Sequence, residues 1–298
     1  MTSSDIWSRN GCISGSLWDM IRRVQVVTFI GAGGKTTCLR SITQELKSAG
    51  QQVIATTTTK VFPEQHMNIW KSADPPEEQD GACFWYVTVE DKSGKWIGPS
   101  VEAVDAAIDA DRLSLGCHAS PGASVSLSVS LRIVPNLHKR FWVIEGDGAR
   151  GLRLKCWESH EPQIPLRSDC AVLVLDRGLW GNVLQPDQVH RSKRCADLIG
   201  RVLNAESAWR YFLRSPVFAP QYENLSWVIF LNSPRGLAET PDLTDNHELV
   251  RDIDLLRDLS HKWAELKAEA NHLKQKPIHL RLAVGNAKEG VIQWCDLW

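Results

Sequence analysis

Seven consecutive residues, Gly31-Ala32-Gly33-Gly34-Lys35-Thr36-Thr37, carry the strongest chemical signal in the chain. Glycines in a strand-to-helix turn let backbone N–H groups approach an anion with no Cβ in the way. The N-terminus of the following helix adds the positive end of its dipole. Lys35 then supplies a point charge for the outer phosphates, and the hydroxyl of Thr36 can complete the coordination of Mg²⁺. The run predicts a site for the triphosphate of ATP or GTP with Mg²⁺, with Lys35 also acting on the transferred charge. The usual loop, G-x-x-x-x-G-K-[ST], would place a glycine where this chain has Phe29, so the loop is two residues short. A dinucleotide turn, G-x-G-x-x-G, would require glycine in place of Thr36. No NKxD-like run selects a base, since Asn232 ends an apolar run but is followed by Ser233.

A second constellation is Glu145-Gly146-Asp147-Gly148-Ala149-Arg150-Gly151, at the end of the apolar run Phe141 to Glu145. Residues two apart on an extended strand point to one side, so Glu145 and Asp147 are expected to face the same edge as the glycine turn and to hold Mg²⁺ together with Thr36. Arg150 and Lys155 can neutralise charge developing on a transferred phosphoryl group, which makes Asp147 and Arg150 candidate catalytic residues beside Lys35. Thr56 to Lys60 closes another apolar run, and Thr58 and Lys60 are candidate contacts to phosphate or substrate. His190 and Arg191 are candidates to grip a second, anionic substrate, the alternative being that they cap a helical segment around Ala196 to Leu203. Zinc at Cys156, His160, His190 and Cys195 is disfavoured, because no cysteines have the close spacing of a zinc site.

These groups need a scaffold that gathers them. Apolar runs without polar alternation recur at Val24 to Ile30, Val53 to Thr57, Phe141 to Glu145, Ala171 to Leu175, Trp227 to Leu231 and Ile278 to Val284. Strands covered on both faces read this way. Helical patterns lie between several of them, the clearest being Lys35 to Ala49, with Leu39, Ile42 and Leu46 on one face and Gly50 as the stop. A second, core-facing helix is expected over Leu249 to Leu273. The alternation predicts a three-layer α/β/α domain with a mostly parallel sheet, whose carboxyl edge collects the ligand. The domain is expected to span 24–298, after an N-terminal extension at 1–23. An insertion at about 63–135 is expected to bring antiparallel strands from Cys83 to Val89 and from the alternating VSLSVSLRIV.

Composition bounds the rest. With 43% hydrophobic and 23% charged residues the chain is globular, and a formal charge of −1 with no Lys/Arg stripe gives no basis for nucleic-acid or anionic-membrane attraction. The apolar runs are far shorter than the ~20 residues of a spanning helix. Eight cysteines without a CxxC pair, and an N-terminus without a secretory pattern, point to a cytoplasmic protein. The thirteen tryptophans have no period and are expected to pack.

Taken with its neighbours, GAGGKTT resembles the short G-x-x-G-K-T loop of Mur-type amide ligases. The series GAGGKTT, TTTTK, EGDGARGLRLK, HEPQIP with Asp169, and VHR resembles the YqeC family, in which the third segment typically reads EADGARGLPLK. That resemblance implies a nucleotide-binding fold and an accessory role in maturation of selenium-dependent molybdenum hydroxylases, with a client hydroxylase as partner. The short loop implies, alternatively, an ATP-dependent ligase or phosphoryl-transfer enzyme acting on a small anionic substrate. A ligase is expected to carry a separate acceptor domain, and none is evident, which favours an accessory protein with slow turnover or none.

Overall fold

The computed structural model describes residues 13–77, 81–116, 140–233, 245–269 and 276–298. Its strands are β1 (Ile13–Gly15), β2 (Val26–Gly31), β3 (Val53–Thr57), β4 (Lys60–Val61), β5 (Asn68–Lys71), β6 (Ala82–Tyr86), β7 (Thr88–Val89), β8 (Trp96–Ile97), β9 (Phe141–Glu145), β10 (Leu154–Lys155), β11 (Cys170–Asp176), β12 (Val189–His190), β13 (Ser226–Asn232), β14 (His279–Asn286) and β15 (Val291–Asp296). The helices are α1 (Leu17–Met20), α2 (Lys35–Ser48), α3 (Val101–Gly116), α4 (Ala205–Arg214) and α5 (Asp245–Glu269). Ten strands form one sheet in the order β1-β15-β14-β13-β11-β2-β9-β3-β6-β5. It is parallel from β14 to β5, with β15 and β1 added antiparallel at one edge.

Side-chain alternation along these strands divides the interior into layers. Val27 and Phe29 of β2 join Leu39, Ile42 and Leu46 of α2 and Leu17 and Met20 of α1 on one face. On the other face Leu173 and Leu175 of β11 meet Trp209 and Phe212 of α4 and Leu256, Leu259 and Trp263 of α5. Val26, Ile54, Trp85, Trp142 and Ile144 pack there against Val104 and Ile108 of α3. The result is the α/β/α arrangement read from the alternation of apolar runs and helical patterns. Tryptophan does pack: Trp85, Trp142, Trp209 and Trp227 are among the largest fully buried side chains.

Two expectations are corrected. The run from Cys83 was expected in an antiparallel insertion, yet β6 pairs parallel with β3, and β5 pairs parallel with β6, so both extend the central sheet. Every residue of β6 is buried, the signature of the other central strands, and only its polar flanks made it look peripheral. The antiparallel element is smaller, a sheet of β4, β8 and β7. VSLSVSLRIV lies outside the described residues. From residue 13 onward the N-terminal extension is built into the domain: β1 pairs with β15 and α1 sits in the core. Finally, Ala196 to Leu203 is not α-helical. A 3₁₀ turn at Ser192–Cys195 gives way to turns, since Arg201 and Leu203 spend their backbone groups on Leu184, Gly181 and Asn182 across the chain.

Candidate functional site

The glycine turn is forced by its surroundings. Gly31, Gly33 and Gly34 have φ of 95°, 77° and 115°. A Cβ at Gly31 would lie 2.3 Å from the Val174 carbonyl oxygen, and one at Gly33 would lie 2.3 Å from the backbone nitrogen of Asp176. Gly33→Ala is therefore expected to cost about 2–3 kcal/mol, combining left-handed strain with overpacking, read as a lowered urea midpoint. The turn is also tied from outside. Ala32 N–H donates to Val174 O at 2.9 Å and Gly33 N–H to Leu152 O at 3.3 Å. Asn232 Nδ2 donates to Gly33 O at 2.9 Å, and the Asn232 side-chain oxygen accepts from Ala287 N–H at 3.0 Å. The N–H groups free to meet an anion are those at the start of α2, which have no partner within the helix.

Around this turn sits a buried charge network. Lys35 is 5% exposed; its Nζ donates to Gly31 O at 2.6 Å and lies 3.3 Å from Asp147 Oδ1 and 3.8 Å from Glu145 Oε1. Glu145 accepts from Thr36 Oγ1 at 2.9 Å. Burial pushes the Glu145 carboxyl above the usual range, opposed by Lys35 and Thr36 and reinforced by Asp147. Asp147 is fully buried and its oxygens are taken: Gly31 N–H donates to both at 3.0 Å, and Trp157 Nε1–H donates at 2.7 Å. Lys155, also fully buried, lies 3.4 Å from Asp147 and 3.1 Å from Glu161 and donates to Gly148 O at 2.6 Å. Tyr211 Oη holds the Lys155 carbonyl at 2.8 Å, and its ring stacks on Trp157.

A cavity of about 1470 Å³ opens over the turn. Ala32, Gly33, Gly34, Lys35, Thr36, Thr37, Thr58, Lys60, Glu145, Arg150, His190 and Arg191 line it. Asp147 and Gly31 do not, and Thr56 and Thr57 are fully buried, donating to the carbonyls of Trp85 and Glu145. Spacing placed Glu145 and Asp147 on one side, but β9 ends at Glu145. Beyond it Gly146 turns to bond Phe29 O and accept from Gln163 N–H, which carries Asp147 beneath the turn. The pair that faces the cavity is thus Thr36 with Glu145, and Asp147 holds the loop.

Beside the cavity β10 and β12 pair as a two-stranded parallel unit, with the buried Lys155 opposite His190, which lines the cavity. Arg191 pairs with Glu161 at 3.1 Å and Glu158 at 3.4 Å. Burial and the Lys155 ammonium push His190 below its ordinary value. Arg150 and Arg191 both adopt left-handed backbone, at φ 53° and 60°, a costly conformation for a non-glycine residue and a common one at ligand sites. Cys156 and Cys195, two members of the zinc alternative, are joined in a disulfide that ties the chain just after β10 to the 3₁₀ turn at Ser192–Cys195. Among the described residues Cys38, Cys83, Cys170 and Cys295 are buried and take no part in a disulfide. Among the described residues no three His, Cys, Asp or Glu side chains form a metal-holding group, and no helix is long and apolar enough to cross a membrane.

Sequence reasoning missed Asn232 and Trp157 as holders of the loop and Arg153, Asp176 and Arg40 as lining residues, and it read His160 and Glu161 only within HEPQIP, His160 also in the zinc alternative. Asp176 and Asn232 carried a local signal, each as a polar residue at the end of an apolar run.

Fold and site together define a three-layer α/β protein with a short glycine turn and a buried Lys–carboxylate network at the carboxyl edge of its sheet. Residues 27–193, more than half of the chain, match the family described as YqeC protein, and the chain belongs to that family. It is 30% identical over 185 residues to a curated relative, "Uncharacterized protein YqeC" of Escherichia coli (strain K12), covering 60% of this chain and 62% of that protein. The chain thus spans less than two thirds of that relative's length. No solved structure matches it. The matched segment contains every residue of the nucleotide and second-substrate readings, whereas Cys195 of the disfavoured zinc set and Asn232 lie beyond it.

Proposed function

We propose that this chain is a Mg²⁺-dependent nucleoside-triphosphate-binding accessory protein, turning over slowly if at all, in maturation of a molybdenum-containing hydroxylase. The observation that carries the nucleotide part is the Thr36 hydroxyl 2.9 Å from Glu145, beside Lys35 at the N-terminus of α2 and on the floor of the cavity. The hydroxylase client rests on the family resemblance alone.

In this reading the first turn of α2 and Lys35 hold the outer phosphates. Thr36 and Glu145 would hold Mg²⁺, whose chemistry there is to neutralise phosphate charge; with only two side chains offered, it keeps waters and phosphate oxygens as its remaining ligands, as Mg²⁺ prefers. Asp147 aims Lys35 and the Gly31 amide, and Arg150 stands on the rim, exposed, to meet charge on the terminal phosphate. The test is calorimetric titration with Mg-ATP and Mg-GTP, followed by phosphate release with and without client hydroxylase. No binding of either nucleotide overturns the reading.

One observation favours the ligase or phosphoryl-transfer alternative. The cavity runs past the turn to His160, His190 and Arg191, at a volume above the ~300–1,000 Å³ of a typical single-ligand pocket. If a small anion sits there, Arg191→Ala should lower acceptor-dependent turnover by about tenfold or more, the scale of one charge-assisted hydrogen bond, with nucleotide affinity unchanged. Parental turnover in a folded variant makes Arg191 a structural partner of Glu158 and Glu161.

A further inference from the structure

The wall of the cavity beyond Glu145 carries a feature that the nucleotide does not use. Phe62, just after β4, is 70% exposed although it lines the same cavity as Lys35 and Thr36, and it is the one aromatic among the large exposed apolar side chains of the described residues. Lys95 Nζ lies 4.7 Å from its ring centroid. The ring stands on a rigid base. Val61 and Val89 flank Trp96 in the small sheet, and Trp96 stacks on Tyr86 with centroids 4.2 Å apart. Behind Phe62 the chain is pinned by Glu64, which accepts from Arg40 Nε at 2.7 Å and from the N–H groups of Gln65 and His66, each at 2.8 Å.

Sheet order gives this platform its place in the site. In the nucleotide reading Glu145 and Thr36 would mark the terminal phosphates; β9, which carries Glu145, lies between β2 and β3, and the platform rises from the chain just after β3. It therefore stands on the far side of the terminal phosphates from the glycine turn, where a second ligand would lie.

We infer that Phe62 and Lys95 seat a second ligand, a heteroaromatic ring carrying a phosphate, such as a nucleoside monophosphate, next to the terminal phosphate of the bound nucleotide. The ring stacks on Phe62, a contact that tolerates any base because every base has a π-face. The oxyanion meets Lys95, whose ammonium is already poised above that ring. This inference rests on the nucleotide reading of the glycine turn.

The experiment loads the full chain with Mg²⁺ and a non-hydrolysable ATP analogue, then titrates AMP, GMP or ribose 5-phosphate by calorimetry. AMP and GMP are expected to bind at least about tenfold more tightly than ribose 5-phosphate, in keeping with base–aromatic stacking. Phe62→Ala is expected to abolish that difference and Phe62→Trp to keep it, with affinity for the ATP analogue unchanged in both. Parent protein that shows no preference for the ring-bearing phosphates, or a Phe62→Ala variant that keeps the preference, overturns the inference and leaves the nucleotide reading standing. Failure of the parent to bind the ATP analogue is the separate outcome that sinks the nucleotide reading, and the inference built on it falls too.

Discussion

Lys35→Met should abolish measurable binding of Mg-ATP and Mg-GTP while keeping the volume of the side chain. The direct loss, one charge-assisted contact to phosphate, is worth about 1.5–3 kcal/mol, or roughly 10- to 150-fold in affinity. An indirect loss adds to it. Lys35 is the main cation opposing the upward push of burial on Glu145, with Arg40 a smaller one and Asp147 raising it further. Without Lys35 the Glu145 carboxyl shifts further up and holds a proton at higher pH, and a protonated Glu145 is a poor partner for Mg²⁺. The combined effect should exceed the direct term, and raising the pH should recover only the indirect part. Calorimetry on a variant shown to be folded by circular dichroism checks it. Parental affinity would remove Lys35 from the site.

Asp147→Asn should be the most destabilising of the conservative changes near the site, costing about 3–5 kcal/mol, the penalty for leaving a buried charge unpaired. That is a large share of the ~5–15 kcal/mol that holds a typical domain together. Four groups converge on the carboxylate: Gly31 N–H, Trp157 Nε1–H, and the ammonium groups of Lys35 and Lys155. An amide presents an N–H where one of the oxygens accepts, and it leaves Lys155 with Glu161 as its sole carboxylate. Trp157→Phe sets the scale, because it deletes one donor while a ring stays in place over Tyr211, and it should cost about 1.5–3 kcal/mol. Urea denaturation of the three proteins gives the order parent, Trp157→Phe, Asp147→Asn. A loss below about 1 kcal/mol for Asp147→Asn would mean that the network is not what fixes the turn.

Much of this architecture is legible in the chain because its cause is local. Strands buried on both faces must be apolar throughout, so β2, β3, β9, β11, β13 and β14 stand out as runs of the right length. A turn that must adopt positive φ against neighbouring backbone admits only glycine, and Gly31, Gly33 and Gly34 announce it. The helix after it shows its face at Leu39, Ile42 and Leu46, all buried.

Tertiary structure decided what depends on partners far along the chain. Two carboxylates at i and i+2 look equivalent while the strand continues, and they part because β9 stops between them: Glu145 faces the cavity and Asp147 supports the turn 116 residues away. The buried run at β6 reads the same in a central sheet or an insertion, since periodicity records burial but not which strand lies alongside. Asn232 is an ordinary strand end in the sequence and becomes a tether of Gly33 only when β13 is brought, 199 residues later, to the same sheet edge. His190 and Lys155 become neighbours only through the pairing of β10 with β12. Patterning along the chain is set by each residue's own burial and backbone angles, whereas these partnerships are set by how the layers close on one another.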